Sequence, residues 1–213
     1  KLEADFLGDD EMIAVCIGGG PGGLFFGICL LLCIRDHEIL VVERNKADDT
    51  FGWGVVFSDQ TMERLQANDK RSADWILDQF EHWDDIEVHY RNHVIRSGGH
   101  GFSGLGRQRL LHLLQKRALE LGVKLHFEHE IHNLDQFKDA DLIVACDGIN
   151  SWIRDEHAEH FQPDIDVRSN RFVWLGTNKV FEAFTFIFEP TEHGWIWAHA
   201  YRFDKDTSTF IID

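Results

Sequence analysis

An α/β fold with a parallel sheet, followed by part of a second, antiparallel β-sheet, is predicted by two stretches of this 213-residue chain. In the first stretch, a short apolar run leads into a glycine cluster, an apolar segment of helix length and another short apolar run. That order is typical of a βαβ unit, whose two strands are parallel and buried. In the second stretch, after Arg171, short β-rich runs alternate with turns, which favours antiparallel strands.

The individual elements follow from apolar periodicity along the chain. In the first half, strands are predicted at residues 12–17 and 39–43, a buried helix at 24–35, an irregular segment at 44–59, a helical region at 60–80, and one exposed strand of a mixed sheet at 87–96. In the second half, a helix is predicted at 107–121 with Gly122 as its stop, and strands at 123–127, 142–146, 172–175, 183–188, 195–201 and 209–212.

Charge and cysteine content exclude several classes of protein. The formal net charge is −16, whereas proteins that bind nucleic acid or anionic membranes carry an excess of Lys and Arg. The longest apolar stretch, residues 24–34, is about half of the roughly 20 residues that span a bilayer. The cysteines, which form no C-x-x-C pair, predict buried thiols in a reducing compartment, the cytoplasm; they are Cys16, Cys29, Cys33 and Cys146.

The glycine cluster contains the pattern Gly18-x-Gly20-x-x-Gly23, which opens the first predicted helix. In dinucleotide-binding folds the first glycine permits a tight turn, the second lets a pyrophosphate approach the backbone, and the third lets the helix pack closely on the sheet. Pro21 and Gly22 complete the turn, and free N–H groups at the helix start would face the phosphates. The alternative is a glycine-rich turn that binds no ligand.

An acidic residue ends the second strand of the βαβ unit. Glu43 lies 20 residues beyond Gly23 (43 − 23), and a carboxylate at this position accepts hydrogen bonds from the hydroxyls of an adenosine ribose. Because the carboxylate would repel a 2′-phosphate, the pattern favours FAD or NAD. The alternative is an exposed charge at the end of a strand.

Two further motifs resemble those of the flavoprotein aromatic hydroxylases. Residues 141–154, with Asp147-Gly148 after an apolar strand, resemble the Asp-Gly fingerprint of that family. The predicted helix that begins at Arg107 has an Arg-x-x-Leu-x-x-x-Leu pattern similar to the family's helix with an FAD-contacting arginine. The similarity is greatest to the salicylyl-CoA 5-hydroxylase and 2-aminobenzoyl-CoA monooxygenase group and extends to the tryptophan-derivative hydroxylases of violacein biosynthesis. It runs from residue 12 to the C-terminus and is carried also by residues 50–58, 95–101 and 198–203.

This resemblance implies a Rossmann-like FAD-binding domain followed by the beginning of a substrate domain. The implied boundaries are a tail at residues 1–11, the FAD-binding domain at 12–165 and the substrate domain at 166–213, with 81–101 contributing to the substrate layer. In this family reduced FAD reacts with O2 to give a C4a-hydroperoxide, which transfers one oxygen atom to an aromatic ring, and NADH or NADPH supplies the electrons. The implied substrate is aromatic, carried as a CoA thioester; catalytic residues stay unassigned.

The resemblance also assigns residues to the ligands. The implied FAD-binding residues are Gly18, Gly20, Pro21, Gly22, Gly23, Glu43, Arg44, Arg107, Asp147 and Gly148. The glycine-flanked segment with Trp53, Val55 and Phe57 would run beside the isoalloxazine ring. His199 and Tyr201, two residues apart on a predicted strand, either face the substrate or pack within the sheet.

Other functions remain as alternatives. A reductase or halogenase of the same superfamily is one, and an inactive dinucleotide-binding module is another. A halogenase is expected to carry Trp-x-Trp-x-Ile-Pro after the first βαβ unit, whereas Trp195-Ile-Trp197 lacks the proline and lies late in the chain. No metal site is predicted for the two histidine groups, which are His126, His129 and His132, and His157 and His160.

The chain is expected to be the N-terminal portion of a longer protein. The family's fold has a later Gly-Asp motif whose Asp contacts the FAD ribityl chain, and none occurs in the 65 residues after Gly148 (213 − 148). The last predicted strand, residues 209–212, is expected to be an unpaired apolar edge. On this expectation the chain alone does not hydroxylate a substrate.

Overall fold

A computed structural model of the protein describes residues 12–34 and 37–213, so the predicted tail at residues 1–11 lies outside the described residues. The strands are β1 (Ile13–Ile17), β2 (Glu38–Val42), β3 (Gly54–Ser58), β4 (Glu81–Trp83), β5 (Ile86–Tyr90), β6 (His93–Ser97), β7 (Phe102–Gly106), β8 (Lys124–His126), β9 (Leu142–Ala145), β10 (Val173–Thr177), β11 (Phe184–Thr191), β12 (Gly194–Arg202) and β13 (Ser208–Ile212). The helices are α1 (Pro21–Cys33), α2 (Asp59–Asn68), α3 (Lys70–Leu77), α4 (Arg107–Leu121), α5 (Trp152–Glu156) and α6 (Ala158–Phe161), with a short 3-10 helix at Asp135–Phe137.

The chain divides into two compact units. The first contains the described residues up to Asp49 together with residues 111–166, and the second contains residues 50–110 and 167–213. Residues 50–110 group with the C-terminal segment, because β5 pairs with β11. The sequence-based boundaries place this segment in the first domain and let residues 81–101, which include β5, contribute to the substrate layer.

A four-stranded parallel sheet forms the centre of the first unit, in the order β8-β2-β1-β9. Val15 of β1 lies opposite Leu40 of β2 on one side and Ile143 of β9 on the other. Four of the five β1 residues are buried, as expected for a strand covered on both faces. One core cluster is formed by Val15, Ile17, Val42, Ile131 and Ile153. The predicted parallel α/β class is therefore confirmed.

Helix α1 has Pro21 in its first turn and is apolar on nearly all sides. At Gly27 the helix lies close to the sheet, where an added Cβ would be in ordinary van der Waals contact, at 3.5 Å, with the side chains of Ile39 and Val41. The predicted burial of this helix is only partly correct, because Phe26 and Cys33 are exposed on the side away from the packed face.

All four cysteines lie in the described residues, and none forms a disulfide. Within residues 12–34 and 37–213, no helix combines the length and apolar character needed to cross a membrane.

Two sheets form the second unit. The larger has the order β10-β13-β12-β11-β5-β6, with antiparallel pairs except for the parallel pair β11–β5, and the smaller is the antiparallel sheet β3-β7-β4. The predicted antiparallel layer and mixed sheet are confirmed. The expectation that the last strand is an unpaired edge is wrong, because β13 lies between β12 and β10 and pairs with both.

Two segments in the middle of the chain differ from the sequence predictions. Residues 44–59, predicted to be irregular, contain β3. The helical region predicted at residues 60–80 consists of α2 and α3, which are divided at Asp69, whose carboxylate accepts a hydrogen bond from the N–H of Ser72 at 3.2 Å and caps α3. The single strand predicted at residues 87–96 is the hairpin β5–β6, because residues 91–92 adopt φ values of 47° and 64° and reverse the chain.

Candidate cofactor-binding site

The carboxyl ends of three neighbouring parallel strands meet at one edge of the first unit's sheet. Gly18 follows β1, Glu43 follows β2, and Asp147 lies two residues beyond the end of β9. Because β1 lies between β2 and β9, three segments that are far apart in sequence come together at this edge. Parallel α/β sheets bind their ligands at the carboxyl ends of the strands.

The glycines of the turn after β1 fall into two groups. Gly18 has a φ of 113°, and an added Cβ there would overlap the carbonyl oxygen of Cys146; one at Gly23 would overlap the carbonyl oxygen of Gly18. Gly20 and Gly22 differ, since an added Cβ at either meets no atom within 4 Å. The first turn of α1 therefore presents bare backbone on that side, and its free N–H groups fit a phosphate.

Glu43 is held by hydrogen-bond donors from two loops. Its Oε2 accepts from the backbone N–H of Gly19 at 2.7 Å, and its Oε1 accepts from the backbone N–H of Asn45 at 2.8 Å and from Asn45 Nδ2 at 2.7 Å. A carboxylate has about four acceptor sites, so these three donors leave room for another. Sequence reasoning missed Asn45; the available signal was an Asn two residues after an acidic side chain, a spacing that favours local hydrogen bonds. The neighbouring Arg44 is exposed.

Asp147 lies directly beside the glycine turn. The N–H of Cys146 donates to the carbonyl oxygen of Ile17 at 2.7 Å, which fixes the Asp-Gly segment to the end of β1. Asp147 Oδ2 is buried and has no hydrogen-bond partner in the described part of the chain. Gly148 follows with a φ of 92°, and an added Cβ there meets no atom within 4 Å. A buried acceptor without a donor costs about 1–3 kcal/mol, and a hydroxyl or N–H group of a bound ligand would satisfy it.

The rest of the Asp-Gly fingerprint holds the shape of its own loop. Ser151 caps α5, because its Oγ accepts from the N–H of Arg154 at 3.1 Å. Nη1 of Arg154 donates to the carbonyl oxygen of Ile149 at 2.7 Å. These contacts stabilise the segment that carries Asp147.

The remaining FAD-directed residue of the sequence analysis, Arg107, belongs to the second unit and begins α4. Its backbone N–H donates to the carbonyl oxygen of Trp53 at 2.8 Å. Its side-chain Nε is buried and lacks a hydrogen-bond partner among residues 12–34 and 37–213. A buried guanidinium N–H without an acceptor fits an anionic or carbonyl group of a ligand.

The segment that contains Trp53, Val55 and Phe57 lies against the six-stranded sheet of the second unit. The indole of Trp53 covers Gly176, where an added Cβ would lie 2.6 Å from the ring, yet Trp53 is 49% exposed. Val55 and Phe57 are half-buried on β3, and the Phe57 ring is 5.4 Å from that of Phe80. Trp53 is thus the most accessible of these three side chains.

The two β12 residues of the sequence analysis differ in accessibility. Tyr201 is 4% exposed, stacks on Trp83 at a centroid distance of 6.2 Å, and donates its hydroxyl to the carbonyl oxygen of Gly54 at 2.9 Å. Burial raises the pKa of Tyr201 to about 12. His199 is half-buried, and its Nδ1 is buried without a hydrogen-bond partner in the described residues. Tyr201 therefore has the contacts of a packing residue, whereas His199 does not.

The first histidine group noted in the sequence borders this edge, since the carbonyl oxygen of His126 accepts from the N–H of Glu43 at 2.8 Å and the N–H of His129 donates to the carbonyl oxygen of Glu43 at 2.9 Å. Among the described residues, no group of three or more His, Cys, Asp or Glu side chains is arranged to hold a metal ion. His126 ends β8, while His129 and His132 follow that strand. The rings of His157 and His160 both lie edge-on to Phe161.

Known proteins that are similar to this chain in sequence include the following two. Over 202 residues it is 43% identical to salicyloyl-CoA 5-hydroxylase of Streptomyces sp, a match that covers 95% of this chain and 39% of that protein. It is 28% identical over 211 residues to protodeoxyviolaceinate monooxygenase of Chromobacterium violaceum, covering 95% of this chain and 55% of that protein. The chain thus spans between two fifths and a little over half of the length of these relatives.

The fold also matches solved structures. The tetrameric form of 2-methyl-3-hydroxypyridine-5-carboxylic acid oxygenase superposes with a TM-score of 0.79 at 19% sequence identity, over 95% of this chain and 58% of that one. The open backbone at Gly20 and Gly22 and the unpaired acceptor of Asp147 fit a ligand with phosphates and hydroxyls, as FAD has. The FAD binding domain family matches residues 11–204, nearly the whole chain, and the chain therefore belongs to that family.

Proposed function

We propose that the protein is an FAD-dependent monooxygenase that hydroxylates an aromatic substrate with O2 and electrons from NADH or NADPH. Bound FAD supplies the oxygen chemistry, and the chain supplies binding, orientation and exclusion of water. The observation that carries the proposal is the edge where β1, β2 and β9 end, which holds open glycine backbone and an unpaired buried carboxylate oxygen. The 43% identity to a hydroxylase supports the same reaction class.

The residues of this edge have distinct roles in the proposal. The turn at residues 18–23 binds the pyrophosphate at the start of α1, and Glu43 binds the adenosine ribose with its remaining acceptor capacity. Asp147 accepts a hydrogen bond from the cofactor, and Gly148 leaves space beside it. In the second unit, the unpaired Nε of Arg107 supports a contact with a polar ligand atom, and the exposed Arg44 provides a positive charge next to Glu43.

For the substrate we propose an aromatic acyl group carried as a CoA thioester. The support is the name of the relative at 43% identity, salicyloyl-CoA 5-hydroxylase. The accessible Trp53 and the half-buried Val55 and Phe57 supply apolar surface of the kind that aromatic ligands need. We also propose a cytoplasmic role in the breakdown of aromatic compounds, supported by the four cysteines, none of which forms a disulfide.

The test is to express the longest reading frame that contains this chain and to follow three signals. The purified protein should release FAD on denaturation, oxidise NADH or NADPH faster with an aromatic CoA thioester, and incorporate one atom of ¹⁸O from ¹⁸O2 into the ring. Release of NAD instead of FAD would contradict the cofactor assignment. Flavin with NAD(P)H oxidation but no ring oxygenation indicates a reductase, halide-dependent products indicate a halogenase, and absence of any turnover indicates a binding module.

A further inference from the structure

One face of the six-stranded sheet carries a continuous set of ring side chains, which we call the aromatic wall. Side chains alternate along a strand, so residues two apart share a face. The wall consists of Phe184, Phe186 and Phe188 on β11, opposite Tyr201, His199 and Trp197 on β12. The ring of Trp197 lies at only 10° to Phe186 and 13° to Phe188. Trp197 is therefore stacked with both phenylalanines, and the rings together form an apolar surface against which an aromatic ligand can pack.

Burial along the wall changes from one end to the other. At one end, Tyr201 is 4% exposed and is covered by Trp83 of the three-stranded sheet. Beyond the other end, Trp195 on the same face is 52% exposed. Trp197 and His199 lie between them and are half-buried. His199 is therefore at the border between the covered and the open part of the wall.

His199 is the one polar ring of the wall that lacks an identified partner for a buried atom in the described part of the chain. Its imidazole has neighbouring ring centroids at 5.0 Å for Trp197, 6.1 Å for Phe184 and 6.3 Å for Phe186. Burial lowers the pKa of His199, while Asp213 on the neighbouring strand end opposes that shift. At neutral pH the ring is thus mainly uncharged, with one N–H and one lone pair.

The accessible part of His199 follows from its surroundings. Nδ1 is buried, whereas Nε2, which is farther from the backbone on the imidazole ring, is not among the buried unpaired side-chain atoms of the described residues. The half-buried side chain therefore offers Nε2 as its accessible nitrogen. A phenylalanine would fill this place in the wall without burying an unpaired nitrogen, so packing alone does not account for a histidine here.

We propose that the aromatic ring of the substrate lies on the open part of the wall and that Nε2 of His199 hydrogen-bonds to a hydroxyl or amino group on that ring. His199 is then a specificity-determining residue, which selects rings that carry such a substituent. This inference rests on the proposed function, since it assumes an aromatic substrate. A site built to hydrogen-bond a substituent discriminates against an analogue that lacks it, because the protein group is then left unpaired.

The test compares two ligands that differ by one hydroxyl, salicyloyl-CoA and benzoyl-CoA, on the FAD-loaded protein. Dissociation constants are measured by the change in flavin absorbance for the wild type, His199→Phe and His199→Gln. His193→Phe, in the exposed turn between β11 and β12, is the control. We expect the wild type and the control to bind salicyloyl-CoA about tenfold more tightly than benzoyl-CoA, as one hydrogen bond provides.

In His199→Phe the preference for salicyloyl-CoA over benzoyl-CoA should fall to less than about twofold, because only salicyloyl-CoA binds more weakly. His199→Gln should keep part of this preference. An unchanged preference in His199→Phe overturns the inference, and so does an equal loss of both ligands, which marks a structural role. Thermal unfolding of each variant shows whether it folds. If His199→Phe does not fold, the ligand preference of His199→Gln tests the inference instead. A wild type that hydroxylates thioesters without any preference refutes only this inference, whereas one that binds neither thioester refutes the proposed thioester substrate as well.

Discussion

The glycines after β1 have two different physical tasks. At Gly18 and Gly23 an added Cβ would overlap a backbone carbonyl oxygen, so glycine is required by the packing of the turn against β9 and α1. At Gly20 an added Cβ meets no atom within 4 Å, so the fold itself does not require glycine there. The space beside Gly20 is explained by a ligand that approaches the backbone.

Gly20→Val should fold normally but bind no FAD, because its branched side chain would occupy the space of the pyrophosphate. Gly23→Val, by contrast, should fail to fold or lose most of its stability. Flavin content and thermal unfolding of both variants measure the difference. Normal flavin content in Gly20→Val would show that this turn does not bind phosphate.

Glu43→Ala should weaken FAD binding by about 1–3 kcal/mol, since it removes a charged acceptor and leaves the donors of Gly19 and Asn45 without their partner. Glu38→Ala is the matched control at the other end of β2, where the carboxylate only pairs with the exposed Lys124. Titration of the apoprotein with FAD provides both dissociation constants. Equal affinities in the two variants would mean that Glu43 is an ordinary surface charge.

At the scale of single elements, helix ends are determined by local backbone conformation. Helix α4 has the bounds predicted from the sequence, 107–121, and Gly122 follows it with a φ of 100°. A left-handed residue directly after the last turn is the common way in which a helix stops. The bounds of α4 were predictable because both its apolar spacing and its stop signal are local.

Replacing this glycine should therefore destabilise the fold through the backbone alone. Gly122→Ala is expected to cost about 1–2 kcal/mol, because its positive φ disfavours a Cβ even though no atom lies within 4 Å of it. Gly22→Ala, in the first turn of α1 and equally free of contacts, should stabilise the apoprotein by about 0.5–1 kcal/mol. Urea unfolding measures both changes, and a shift of the same sign in the two variants would contradict this explanation.

Over the whole molecule, burial of weak acids makes stability depend on alkaline pH. Cys16 is fully buried and its pKa is raised from 9.0 to about 12, and Tyr201 is raised from 10.0 to about 12. Both groups keep their protons in the folded state at a pH where the unfolded chain loses them. Their contribution to the free energy of unfolding is fully present below the pKa that each group has in the unfolded chain. It is lost as the pH rises towards 12.

The free energy of unfolding should therefore fall between pH 9 and 12, with each group adding up to about 1.4 kcal/mol per pH unit. Cys16→Ala should make this fall shallower from pH 9 upward, and Tyr201→Phe from pH 10 upward. Cys33→Ala, at an exposed thiol, is the control and should leave the slope unchanged. Denaturant unfolding at a series of pH values measures the slopes; parallel slopes in Cys16→Ala and Cys33→Ala would refute the role of burial.

Short-range patterns in the sequence determined most of the fold and part of the candidate site. Continuous apolar runs predicted β1, β2 and β9, and the spacing of Gly18, Gly20 and Gly23 predicted the turn, because burial of a parallel strand and the conformation of a turn leave local signals. The hairpin β5–β6 was missed. Its turn is made by Arg91 and Asn92, common residues in a left-handed conformation, for which composition gives a weak signal.

Long-range pairing was decided only by the tertiary structure. The sequence predicted an unpaired edge at β13, whereas β10 pairs with that side of the strand. Strand order depends on contacts between distant segments; Val173 pairs with Ile212, 39 residues away (212 − 173). In the same way, the sequence identified Glu43 and Asp147 separately, and the parallel sheet brings both to the ends of strands that flank β1. The sequence also could not show that Tyr201 is buried whereas His199, two residues away on the same strand, is only half-buried. Accessibility along one face of a strand depends on which other segments cover it, and no local pattern encodes that.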